Sequence, residues 1–80
     1  SGLKVISCTE KAEDAYYSCD FNKPTALVLG SEEDGISAEI IKISDELVKI
    51  PLSGEIESLN VSVAAGVVLF EVLRQRNLKA

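Results

Sequence analysis

Ser58 and Asn60 flank Leu59 where a polar stretch passes into an apolar one, Ser58-Leu59-Asn60-Val61-Ser62-Val63. A hydroxyl and a carboxamide two residues apart can orient a polar ligand. A helix starting there adds unpaired N–H groups that favour an anion. Locally, the same side chains read first as helix N-caps. A second candidate is Leu27-Val28-Leu29-Gly30-Ser31-Glu32, an apolar run stopped by glycine and followed by a carboxylate. Glycine lets the chain turn sharply and lets a ligand approach the backbone. An ordinary strand end with a solvated acidic turn has the same pattern. A third candidate is Val48-Lys49-Ile50-Pro51-Leu52, where proline fixes the exit of the chain.

Several chemistries are excluded at once. The chain has no histidine, so neither serine can belong to a Ser-His-Asp triad. It has no GxGxxG and no GxxxxGK[ST], the signatures of dinucleotide and P-loop sites. Glu32-Glu33-Asp34 lacks the ligand spacing of a calcium loop and reads as a solvated turn. Cys8 and Cys19 form no CxxC pair and have no histidine to complete a zinc set. One disulfide is conceivable, but without a secretory signal two reduced, cytosolic thiols are the expectation.

The candidates need elements to hold them. Leu3–Cys8 reads as a strand, and Thr9 as the N-cap of a helix running through Ala12, Ala15 and Tyr16. Asp20–Pro24 makes a loop. Thr25–Leu29 is continuously apolar, the pattern of a strand covered on both faces in a parallel sheet. Ser37 caps a short helix carrying Ile40 and Ile41, and Leu47–Ile50 forms a third strand. From Ser58 a long helix should persist to Arg76 or Asn77. It carries eleven apolar positions between Leu59 and Leu73, pointing in nearly every direction. A helix apolar all round is buried all round.

Alternating strands and helices call for an α/β fold with a parallel sheet. Eighty residues allow one small domain at most, and 46% hydrophobic with 26% charged residues marks a folded chain. Three strands with so much apolar helix surface make an incomplete domain, completed by a partner subunit or by more of the same protein. The net charge of −5 disfavours a free-standing nucleic-acid binder. Residues 31–60 alone hold eight acids against two bases. No apolar stretch is long enough to cross a membrane as a helix.

Taken together, the three blocks closely resemble the SpoU (TrmH-type) family, the RNA 2′-O-ribose methyltransferases of the SPOUT superfamily. The matching residues are Ala26–Glu32 with Gly35-Ile36-Ser37, then Asp45–Leu52, then Ser58–Gly66. Glu33 stands where many members have glycine. The resemblance implies an α/β domain with a trefoil knot, S-adenosylmethionine held in the knotted loops largely by backbone groups, and a two-fold dimer. Carried over by position, the cofactor contacts fall at Gly30, Ile50 and Leu59, with Pro51 and Leu52 lining the pocket. The family's second-motif glutamate matches Glu32. Its third-motif serine and asparagine, beside the target ribose, match Ser58 and Asn60. The first motif, an Asn-x-Gly segment supplying an arginine, has no counterpart here. Residues 1–80 therefore read as the C-terminal half of a parallel-sheet SPOUT domain carrying motifs two and three. The expected activity is S-adenosylmethionine-dependent ribose methylation of rRNA or tRNA, with RNA recognised through an N-terminal part not contained in this chain. The alternative is a non-catalytic cofactor-binding or dimerisation module.

Overall fold

The computed structural model describes residues 2–31, 34–53 and 59–77. Three strands, β1 (Lys4–Cys8), β2 (Thr25–Leu29) and β3 (Glu46–Val48), form one parallel sheet in the order β2-β1-β3. The register pairs Lys4 with Thr25 through Cys8 with Leu29 on one side of β1. On the other side Ile6 lies opposite Glu46 and Cys8 opposite Val48. The three carboxyl ends are therefore level, which places Cys8, Leu29 and Val48 along one edge.

Helix α1 (Ala38–Ile43) follows β2, and Ser37 caps it as expected, its Oγ accepting from the Ile40 N–H at 3.3 Å. Helix α2 (Val61–Asn77) follows β3. The expected helix after Thr9 does not form; a single 3₁₀ turn, Tyr16–Ser18, stands in that region. The reason is competition for backbone hydrogen bonds. Tyr16 N–H donates to the Lys49 carbonyl at 2.8 Å, and Lys49 N–H donates to the Asp14 carbonyl at 2.9 Å. Asp14–Tyr16 thus extends the sheet beside Lys49 instead of coiling, and Thr9 caps only a tight turn, accepting from Lys11 N–H.

The core is small. Ile6, Phe21, Val48 and Val68 are fully buried, with Cys19 beside them and Leu27, Ile50 and Val72 packed on the outside. Both cysteines are free, and burial pushes the Cys19 thiol up to about 11. The continuous apolar run of β2 is only half-buried at every position, so this segment covers it incompletely. Helix α2 departs further from expectation. It buries one stripe, Ala64, Val68, Glu71 and Gln75, at helical spacing. Val63, Leu69, Phe70 and Leu73 are exposed on its remaining surface.

Candidate functional site

The level carboxyl ends of the strands open onto a cleft of about 270 Å³. Its floor is formed by Cys8 and Leu29 at the ends of β1 and β2, and by Ile50 just after β3. Gly30, Ser31 and Asp34–Ile36 close one side, and Leu52, Leu59, Val61 and Ala64 close another. Ligands in open parallel sheets sit beyond the carboxyl ends of strands, which is where this cleft lies.

The loop after β2 owes its shape to its own hydrogen bonds. Gly35 N–H donates to the Ser31 carbonyl at 2.9 Å, and Asp34 N–H donates to Ser31 Oγ at 3.0 Å. Gly35 holds φ +67°, a left-handed conformation that favours glycine. The returning strand of this loop lies against Gly30. A Cβ added there would stand 2.3 Å from the Gly35 carbonyl carbon and 2.6 Å from Ile36 N. The close approach expected of a ligand at Gly30 is therefore made by the protein's own backbone, and glycine is required whether or not anything is bound.

Four of the five expected cofactor positions, Gly30, Ile50, Leu52 and Leu59, come together in the cleft. Pro51 is exposed and does not line it. Asn60 is exposed, and its Oδ1 accepts from Ser62 N–H at 2.8 Å, so its side chain caps α2. Glu32 and Ser58 lie outside the described residues.

The sequence reading missed the third wall, Thr9 through Lys11, because it assigned those residues to the start of a helix. The signal was available: in a parallel sheet, the end of one strand faces the same edge as the end of its neighbour. Cys8 is half-buried, and burial raises its thiol above the ordinary value. Glu10, Lys11 and Asp34 are the ionisable residues of acid or base type along the cleft, and all three are exposed. Among the described residues, no group of three or more side chains could hold a metal ion, and no helix is long and apolar enough to cross a membrane.

A parallel sheet whose strand ends and crossover loops line an open cleft of mixed polar and apolar surface defines an α/β unit with the cleft at its carboxyl edge, the edge where such sheets place ligands. The particular kind is shown by comparison: residues 1–70 match the SpoU rRNA Methylase family, and the chain belongs to it. It is 48% identical over 77 residues to a 23S rRNA (guanosine-2′-O-)-methyltransferase of Ralstonia nicotianae, covering 96% of this chain and 31% of that protein. Over 79 residues it is 52% identical to a tRNA (guanosine(18)-2′-O)-methyltransferase of Aquifex aeolicus, covering 98% of this chain and 37% of that one. The SpoU methyltransferase AviRb of Streptomyces viridochromogenes, solved in complex with AdoMet, superposes with a TM-score of 0.87 at 34% identity, over 92% of this chain and 28% of that one. The chain thus spans well under half the length of the curated relatives it matches. These matches establish the α/β fold with its parallel sheet. They do not uphold the expectation that the segment is specifically the C-terminal half of its domain, nor do they establish the knot.

Proposed function

We propose that the full protein methylates a ribose 2′-oxygen of rRNA or tRNA with S-adenosylmethionine, and that this segment supplies the cofactor cleft. The observation that carries this reading is the convergence of Gly30, Ile50, Leu52 and Leu59, from three separate stretches of chain, on one cleft. The cleft suits the cofactor chemically. Leu29, Ile36, Ile50 and Leu59 offer apolar surface for a purine ring, while Glu10, Lys11 and Asp34 stand where charged groups would be met. Its volume is close to the lower end of small-molecule sites, roughly 300 Å³.

When bound, S-adenosylmethionine supplies an electrophilic methyl group. The protein's tasks are then to align the acceptor oxygen and to remove its proton. Glu32, Ser58 and Asn60 are proposed to order the ribose. Asn60 commits its oxygen to the cap of α2, which leaves its amide nitrogen to donate to a ribose oxygen. Proton removal is assigned to the arginine of the family's first motif, in a part of the protein other than this segment. In the same reading the connections after β2 and β3 form the trefoil knot, and residues 1–80 carry motifs two and three. RNA contacts lie mainly outside the acidic stretch 31–60, since like charges repel phosphate. The exposed apolar surface of α2 joins two subunits, and the enzyme works in the cytoplasm.

The test uses the full-length protein with methyl-labelled S-adenosylmethionine and either rRNA or tRNA. Label recovered in a 2′-O-methylated, nuclease-resistant dinucleotide is the expected result. Cofactor binding without methylation of either RNA would favour the non-catalytic module, and label on a base would overturn the assignment of the acceptor.

A further inference from the structure

Gly66 lies inside α2, and nothing in the segment accounts for it. Its φ is not positive, so the backbone conformation does not demand glycine. A Cβ built on it would meet nothing within 4 Å among the described residues, so internal packing does not demand it either. Glycine in a helix interior costs stability relative to alanine. The reason for it must lie outside the segment.

The direction Gly66 faces supplies that reason. Steps of three and four residues put Val63, Gly66, Phe70 and Leu73 on one face of α2. This face lies opposite the buried stripe of Ala64, Val68, Glu71 and Gln75. Val63, Phe70 and Leu73 are exposed, and Phe70 is the most exposed large hydrophobic side chain among the described residues. A gap therefore sits one helical turn from a protruding ring. The steps run three, four, three, the same in either direction along the helix. A two-fold axis crossing the helix at the level of Val68 would pair Gly66 with the partner subunit's Phe70 and Val63 with the partner subunit's Leu73, each pair occurring twice. A parallel pair would instead set ring against ring and gap against gap, leaving a void.

We infer that α2 packs antiparallel against the same helix of a second copy, with the Phe70 ring of each seated over Gly66 of the other. The inference rests on the two-subunit reading above and deepens it by fixing the orientation and register of the contact. A face that carries both its own knob and its own hole is complementary to itself. A methyl group at position 66 would hold the ring off and push the helix axes apart.

The experiment is sedimentation equilibrium on the full-length protein, with melting temperatures measured alongside. Gly66→Ala should weaken the dimer about tenfold. In the Phe70→Asp background, where no dimer is expected, the same substitution should raise the melting temperature, because it adds a better helix former in open space. A glycine needed for the fold itself would give a lower melting temperature there. Gly66→Phe and Phe70→Gly should each abolish the dimer. Combined in one chain they should restore it, since the antiparallel register exchanges the two positions. Unchanged association in Gly66→Ala, or a folded combined variant that stays monomeric, would overturn the register while leaving the two-subunit reading intact. If the unaltered protein sedimented as a monomer, the two-subunit reading would fail and the register with it.

Discussion

The side-chain amide of Gln75, near the end of α2, takes the place of a neighbouring strand for the backbone at Phe21. Its Oε1 accepts from Phe21 N–H at 2.8 Å across 54 residues of sequence, and its Nε2 donates to the Cys19 carbonyl at 2.8 Å. Phe21 is fully buried in the core, so this pair fixes both the ring and the chain that carries it. Arg76 continues the clamp by donating to the Phe21 and Lys23 carbonyls. Gln75→Leu would keep the volume but leave a buried donor and a buried acceptor unpaired. Each such group costs about 1–3 kcal/mol, so a loss of about 3 kcal/mol is expected in urea denaturation of the full-length protein. A loss under about 1 kcal/mol would show that water reaches these groups.

Glu71 secures the same clamp from the next turn. Its carboxylate accepts two hydrogen bonds from the Arg74 guanidinium, both at 2.8 Å, and one from Gln75 Nε2 at 2.7 Å. The Arg74 guanidinium is the main cause holding the carboxyl down at about 2, with Gln75 adding to it and burial opposing both. The folded-state value lies below the ordinary 4.5 of an unfolded chain. The stabilisation is therefore complete above pH 4.5 and is lost as pH falls towards 2. The denaturation midpoint should drop through that window, and Glu71→Gln should flatten the drop. Arg74 is more than half exposed, so added salt should weaken the effect. An unchanged acid profile in Glu71→Gln would show that other carboxylates govern it.

Much of this arrangement was legible in the sequence, and the exceptions have a common cause. The strands at 4–8 and 25–29 and the Ser37 cap follow from short-range patterns. So does the cleft position of Gly30 and Ile50, because strand ends are marked by glycine and proline. The failed helix after Thr9 had good local signals, yet Lys49 competes for its backbone from far along the chain. Gln75 and Glu71 look like ordinary polar residues on the outer face of a helix; their burial depends on where residues 19–21 return. The third wall of the cleft was missed with the helix that was expected to occupy it.

Gly30 lines the cleft, and the protein's own backbone already requires glycine there. Gly30→Ala adds a methyl group 2.3 Å from the Gly35 carbonyl carbon, and backbone cannot yield as a flexible side chain would. The loop must shift, at a cost of about 1–3 kcal/mol in stability. Cofactor affinity should fall with it, because Ser31, Asp34 and Ile36 move together. Thermal unfolding separates the two accounts. A fall in the melting temperature of the ligand-free protein is expected. Full stability with lost affinity would mean instead that the methyl group meets only the ligand.

Val68 and Phe70 stand two residues apart on α2 and look interchangeable in sequence, but they have opposite surroundings. Val68 is fully buried against the sheet, while Phe70 is 75% exposed, with Val63, Leu69 and Leu73 also exposed on the helix. A contiguous apolar surface of this kind rarely faces water in a soluble monomer. In the proposed assembly it meets the same helix of a second subunit about a two-fold axis. The two aspartate substitutions should therefore separate cleanly. Val68→Asp buries an unpaired charge and should unfold the domain. Phe70→Asp should leave the subunit's fold stability within about 0.5 kcal/mol, since its side chain touches little within the subunit. It should convert a dimer to a monomer in analytical ultracentrifugation of the full-length protein. A Phe70→Asp protein that sediments as a dimer would show that this surface is covered from within the same subunit.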